Sequence, residues 1–269
     1  MIEVGKQWPG GVQPNGRHVL ITGGGAGLGR VLCERFLAEG ANVYVCDIDA
    51  RALHALQEQV ASDRLRTAAC DLAKPAEVEA WLQSVQRWSP HVDVLINNVG
   101  LAGSRAPLER IADLEWLQII EANLLTAVRC ARAVLPAMKA RRRGVIVNIS
   151  TASVHTLPTQ RSPYVVTKAA LEALTLALAR EVGEFGIRCN VVRPGLMNNE
   201  RGRRVIERVA AQTGRSTQEV LEQELQFTAM KSMVEMDEVA AAVLYLASHE
   251  ARHVTGQILS VDGGFAWES

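Results

Sequence analysis

The feature that most narrows what this chain can become is the run Thr22-Gly23-Gly24-Gly25-Ala26-Gly27-Leu28-Gly29, set between the apolar segment His18 to Thr22 and a segment of helical period. After a strand and at the start of a helix, each glycine has a task. Gly23 permits the sharp turn, Gly27 lets the main chain approach a pyrophosphate, and Gly29 lets helix and strand pack closely. Leu28 sits between the last two, where the free N–H groups and positive potential of a helix amino end meet phosphates. The helical segment carries Leu28, Val31, Leu32, Arg35 and Phe36 at three- and four-residue spacing and stops at Gly40.

The same alternation continues along the chain. Short runs rich in Val and Ile predict seven strands: His18 to Thr22, Asn42 to Asp47, Leu65 to Ala69, Val92 to Asn97, Val145 to Ser150, Ile187 to Arg193 and Gln257 to Val261. Helices are predicted to begin near Ala50, Pro75, Asp113, Ser162 and Met236. Strands alternating with longer helical segments imply the α/β class, as a Rossmann-like doubly wound sheet of seven mainly parallel strands with helices on both faces. The rhythm breaks over residues 196–233, where two helix-like pieces meet at Thr213-Gly214 and Ser216 with Glu219 forms a capping box. An insertion there, beyond a strand's carboxyl end, is placed to act as a lid, with Phe227, Met230 and Met233 as the apolar face of a lid helix.

With 269 residues, one dinucleotide-binding catalytic domain over 1–269 is the expectation, preceded by an irregular lead-in over 1–16. Lys and Arg total 29 and Asp and Glu total 29, a balance that gives nucleic acid no electrostatic hold, and Arg141 to Arg143 read as a solvated face. No apolar run is long enough to span a bilayer, and the amino terminus lacks the basic start of a signal peptide. Cys33, Cys46, Cys70, Cys130 and Cys189 fall inside predicted elements without Cys-x-x-Cys pairing, which implies buried free thiols, a reducing cytoplasmic compartment and no metal site.

Asp47, eighteen residues past Gly29 at the end of the second strand, is positioned to accept hydrogen bonds from an adenosine ribose. It would repel a 2′-phosphate, and Ala26 offers no cation from the loop, so NAD is expected over NADP. Asp49 is a competitor for the ribose role, but its place just past the strand favours helix capping. Tyr164 and Lys168 stand four apart in a helical segment and therefore share a face. A free phenol titrates near 10. A neighbouring ammonium favours the phenolate and so makes it a usable base.

These motifs together resemble the short-chain dehydrogenase/reductase family, from about His18 to Gly264. The glycine run matches TGxxxGxG, and Asn97-Asn98-Val99-Gly100 matches NNAG with Val for Ala. Tyr164 to Lys168 matches YxxxK, followed by the Pro194-Gly195 turn and the closing Val261-Asp262-Gly263-Gly264. The resemblance implies cofactor contacts from Asp71 and Leu72 at the adenine, and from Asn98, Gly100, Pro194, Gly195, Tyr164 and Lys168. It implies that Asn123 interrupts its helix and holds a water in a proton relay to Lys168. Two departures stand out. The family's substrate-binding hydroxyl falls on Thr151 rather than serine, with Ser150 and Ser153 as alternates, although strand alternation points Ser150 the other way. Asn199 occupies the position of the threonine that steadies the nicotinamide amide, with Asn198 as its competitor.

The reaction so implied interconverts a secondary alcohol and a ketone, with Asn123, Thr151, Tyr164 and Lys168 as the catalytic set. The small-molecule substrate would be walled by Leu101, Ser153, His155, Leu157 and Leu196, with Arg201, Arg203 and Arg204 at the lid as candidates for a carboxylate or sulfonate. The alternatives are an NADPH-dependent 3-oxoacyl-type reductase and a nucleotide-binding regulator without turnover. By analogy with the family, assembly is expected as a homotetramer or homodimer, through the helices near Asp113 and Ser162.

Overall fold

The computed structural model describes residues 16–265, so that all of the predicted lead-in except Gly16 lies outside them. Seven runs rich in small and β-branched residues pair as strands: β1 (His18–Thr22), β2 (Asn42–Asp47), β3 (Leu65–Ala69), β4 (Val94–Asn97), β5 (Gly144–Ile149), β6 (Ile187–Pro194) and β7 (Ile258–Val261). They form one sheet in the order β3-β2-β1-β4-β5-β6-β7. Every neighbouring pair is parallel, where the sequence suggested a mainly parallel sheet.

Small differences in strand bounds have local causes. β4 starts two residues later than the apolar pattern suggests, where Asp93 turns its carboxylate onto the His18 N–H (3.0 Å). At Gln257 the backbone N–H goes to the Asn190 side chain (3.0 Å), so the β7 ladder begins at Ile258.

Alternation along each strand divides the core into two layers. Val19, Ile21, Val43 and Val45 face one side with α1 (Gly27–Ala38) and α10 (Met236–Ala247). Leu20, Tyr44, Cys46, Leu95 and Ile146 face the other, under α3 (Pro75–Trp88), α5 (Thr126–Arg141) and α7 (Ser162–Val182). The remaining α-helices are α2 (Ala50–Val60), α4 (Asp113–Ile120), α6 (Ser153–Thr156), α8 (Glu200–Thr213) and α9 (Thr217–Leu225). Pro75 opens α3, as its fixed φ favours, and Asp49 caps α2 by accepting from the Arg51 and Ala52 amides. All five cysteines are buried and free. Among the described residues no helix is long and apolar enough to cross a membrane, and no group of three His, Cys, Asp or Glu is placed to hold a metal.

The 196–233 insertion folds as α8 and α9, joined at Gly214 and restarted by the Ser216/Glu219 capping box. Ile206, Ala210 and Val220 give this pair a small core of its own. The expected helical face of Phe227, Met230 and Met233 is corrected: residues 226–234 form turns and irregular chain with isolated bridges, with Met230 72% exposed. Thr228 pairs instead with Phe265 in an antiparallel bridge, and this long-range pairing overrides the local helical period.

Candidate active site

In a parallel sheet the loops beyond the strands' carboxyl ends converge on one crevice, and those beyond β1, β4, β5 and β6 carry most of the residues in question. The chain leaves β1 through the glycine run. Gly27 adopts φ +53° and nothing lies within 4 Å of where its Cβ would sit, so the main chain there is open to a ligand. Gly29 is the opposite case: a Cβ would lie 2.0 Å from the Gly23 carbonyl oxygen and 2.7 Å from Asn98 Nδ2. Any side chain would break this contact between helix and loop. Ala26 at the N-cap of α1 has no side chain to satisfy the first amides, and the first turn carries no acid, which leaves the helix end suited to a phosphate. Leu28 turns its side chain into the core, so only its backbone faces the loop.

Asp47 closes the other side of this cradle. Its Oδ2 accepts from the Gly25 N–H (2.9 Å) and its Oδ1 from the Asp49 N–H (3.1 Å), which fixes a carboxylate beside the loop. Asn98 ties β4 to the loop, its Nδ2 donating to the carbonyls of Thr22 (3.1 Å) and Gly23 (2.9 Å). Asp71 holds its own turn through the Ala73 amide (3.0 Å), and Leu72 is buried with its carbonyl accepting from Thr126 (2.6 Å). An open glycine backbone, an uncapped helix end and a fixed acid fit a dinucleotide.

Tyr164 and Lys168 project from α7 at i and i+4, and both are buried. Lys168 Nζ donates to the carbonyls of Val99 (2.8 Å) and Ile149 (2.7 Å), so two of its three N–H groups bind the loop after β4 and the end of β5. Burial, and then the nearby Arg201, push its ammonium down to about 7. Asn123 lies in a π-helical turn, Glu121–Leu125, between α4 and α5; such turns widen the helix and free backbone groups. Its side chain accepts from the Leu101 N–H (2.7 Å) and donates to the Leu101 carbonyl (3.0 Å) and to Thr167 Oγ1 (3.0 Å). Thr167 is thus a partner that periodicity did not flag, although its place between Tyr164 and Lys168 was a signal.

Thr151 lies two residues past the carbonyl that Lys168 binds, with its hydroxyl 3.3 Å from Ser153 Oγ. Ser150 turns the other way and donates to Glu172 (2.6 Å), which forms a buried, bidentate pair with Arg193 (3.0 and 2.7 Å). His155 is engaged by the same Arg193 guanidinium. This network, unread in the sequence, pins α7 to β5 and β6. A charge in the apolar ALEALTLALA segment was its trace.

The other predicted substrate residues are dispersed. Leu157 is 66% exposed, and Leu196 packs onto the small core of the insertion instead of standing free. Gly195 has Asp262 so close that a Cβ would meet its Cα at 2.8 Å, and the Pro194 carbonyl accepts from the Ala152 N–H (2.8 Å). Asn199 caps α8 by accepting from the Gly202 N–H (2.8 Å), while Asn198 bonds Glu235 (2.8 Å) and Arg203 (3.2 Å). Of the three lid arginines only Arg201 reaches the crevice, donating to the Gly100 carbonyl (2.9 Å); Arg204 pairs with Glu200.

Residues 23–266 match the family model described as enoyl-(acyl carrier protein) reductase, which belongs to the short-chain dehydrogenases and reductases. The chain belongs to the short-chain dehydrogenase/reductase family. Galactitol 2-dehydrogenase (L-tagatose-forming) of Cereibacter sphaeroides is 33% identical over 253 residues, 93% of this chain and 95% of that protein. The 3-oxoacyl-acyl-carrier-protein reductase of Escherichia coli is 31% identical over 249 residues, 93% of this chain and 97% of its own. The crystal structure of NAD-bound xylitol dehydrogenase superposes with a TM-score of 0.85 at 26% identity, covering 93% of this chain and 99% of that one. As a member of this family the chain is an NAD(P)-dependent oxidoreductase of the alcohol–ketone type.

Proposed function

We propose that this short-chain dehydrogenase/reductase is an NAD-preferring enzyme of one catalytic domain that interconverts a secondary alcohol and a ketone, with Tyr164 as general acid and base. The observation that carries the reading is the buried Tyr164 and Lys168 on one face of α7, with Lys168 bonded to carbonyls of the loop after β4 and of the end of β5. When bound, the dinucleotide supplies the acceptor for the hydride leaving the carbinol carbon, or its donor in the reverse direction. Tyr164 takes the hydroxyl proton in oxidation and returns it in reduction. In its protonated form Lys168 favours the phenolate and offers its remaining N–H to a ribose hydroxyl. Thr151 orients the substrate oxygen, and Asn123 steadies the loop at Leu101 and holds a relay water behind Lys168.

Gly23, Gly27, Leu28 and Gly29 would hold the pyrophosphate through backbone, with Asp47 on the adenosine ribose, Asp71 and Leu72 near the adenine, and Asn98, Gly100, Pro194, Gly195 and Asn199 along the nicotinamide half. Ser153, His155 and Leu157 remain the substrate-side candidates, and α8 and α9 the lid. The buried free thiols support a cytoplasmic site of action. Incubation with NAD and a panel of secondary alcohols should produce NADH; dinucleotide binding without NADH from any of them would favour a regulator instead.

Cofactor choice rests on Asp47. Wild-type kcat/KM with NAD is expected to exceed that with NADP by at least tenfold, and Asp47→Ser to narrow the gap, because a fixed carboxylate repels a 2′-phosphate. An NADP preference in the wild type would favour the 3-oxoacyl-type reductase.

Assembly is proposed through α4 and α7, where Leu114 (66% exposed), Leu117 (59%) and Val166 (52%) leave apolar surface open. Light scattering is expected to give the mass of a tetramer or dimer, and Leu117→Glu to lower it; a monomeric wild type would end this proposal.

A further inference from the structure

Two arginines stand over Tyr164, and two more lie within electrostatic reach of the first of them. The Arg161 guanidinium lies 4.7 Å from the centre of the Tyr164 ring and that of Arg201 lies 5.5 Å from it. Arg105, in the loop after β4, and Arg208, on α8, are near enough for their charges to act on Arg161. The sequence marks Arg201 as a lid candidate for a carboxylate, but its meeting with Arg161 needs α8 folded back over the start of α7.

The cluster lacks the counter-charge that some arginines of this protein find. Arg129, Arg193 and Arg204 each hold a carboxylate. Among the described residues none of Arg105, Arg161, Arg201 and Arg208 lies within ion-pair distance of one. Glu224 acts on Arg105 only from further away. The Arg161 Nε is buried with no hydrogen-bond partner. A buried donor left unmade is costly, and like charges gathered without a counter-ion add to the cost. Burial lowers the Arg161 guanidinium from its ordinary value; Tyr164 pulls it up, while Arg105, Arg201 and Arg208 press it lower. Such an arrangement is stable in function when an anion completes it, and guanidinium groups suit the planar or tetrahedral oxygens of carboxylate and phosphate.

We infer that the substrate of the reaction proposed above is an oxyanion, a hydroxy or keto compound bearing a carboxylate or phosphate, whose charged group is received by Arg161 and Arg201 beside Tyr164. Arg105 and Arg208 supply further positive charge around the same group. The inference rests on the dehydrogenase reading for the reacting alcohol but not for the anion site, which is measurable without turnover.

The test has two arms. In the first, the full chain with saturating NAD is titrated calorimetrically with malonate, with inorganic phosphate, and with dimethyl malonate as the uncharged control. In the second, NADH formation is followed with hydroxy acids, each paired with its methyl ester, and with hydroxyalkyl phosphates, each paired with its parent diol. The anions are expected to bind and the diester not, and acids to exceed esters at least tenfold in kcat/KM. Arg161→Gln and the surface variant Arg208→Gln should each weaken anion binding several-fold and narrow the acid-to-ester ratio, with Arg161→Lys recovering part of it. Malonate tighter than phosphate identifies a carboxylate, and the reverse a phosphoester. The inference is overturned if neither anion binds, if both variants bind them as the wild type does, or if esters match acids. Efficient turnover of esters without anion binding would remove this inference and leave the dehydrogenase standing; anion binding without any turnover would remove the dehydrogenase reading and, with it, the substrate.

Discussion

Tyr164→Phe is expected to lower kcat/KM by about 10²–10⁴-fold, the span that general acid–base catalysis contributes, while leaving NADH binding within a few-fold of wild type. The change removes one oxygen and keeps the ring. The buried packing of that ring and its contacts with Arg161 and Arg201 therefore survive, and no cavity opens in α7. The dinucleotide cradle is made by residues far along the chain, at Gly27, Gly29 and Asp47, and is untouched. Initial rates together with a fluorescence titration of NADH separate the two quantities. Turnover within tenfold of wild type would remove Tyr164 from its assigned role. Loss of NADH binding along with turnover would mean the substitution acts through structure.

How much of this was readable beforehand depends on whether the cause is local. The seven strands and the starts of α2, α3, α4, α7 and α10 follow from apolar period and from caps such as Asp49 and Pro75, signals contained within a few residues of where they act. The nucleotide cradle was legible for the same reason, as each glycine acts on its own backbone. The turn at 226–234 was misread because Phe227, Met230 and Met233 keep a helical spacing, whereas the bridge that decides their conformation joins Thr228 to Phe265. The Ser150–Glu172–Arg193 network and the arginine cluster share that difficulty. Their members come from different strands and helices, and only the packing of α7 and α8 against the sheet brings them together. Asn123 is intermediate: a weak helix former in an apolar helix marked the place, but the π-helical turn and the bonds to Leu101 and Thr167 needed coordinates.

Lys168→Met should lower activity by about 10²-fold or more, since Tyr164 loses the amine whose protonated form favours the phenolate, and should also change how stability depends on pH. In the fold Lys168 sits at about 7 because burial, and then Arg201, disfavour its ammonium. In the unfolded chain a lysine titrates near 10.4. Between those values the unfolded state holds a proton that the folded state does not, so stability rises with pH across this window, by up to about 1.4 kcal/mol per unit. Below pH 7 both states are protonated and the full cost of burying the charge is present, on the order of 5 kcal/mol before the bonds to Val99 and Ile149 are counted. The methionine variant has no such proton. Urea unfolding of both proteins at pH 7 and 9.5 isolates the effect, because every other titrating group is common to the two. The wild type is expected to gain roughly 3 kcal/mol on the variant over that interval. Arg201→Gln, which removes the lesser of the two causes, should move the lower edge of the window upward and shrink the gain. Parallel pH profiles for wild type and Lys168→Met would mean that the lysine keeps an ordinary affinity for its proton in the fold, and the argument from burial would fail.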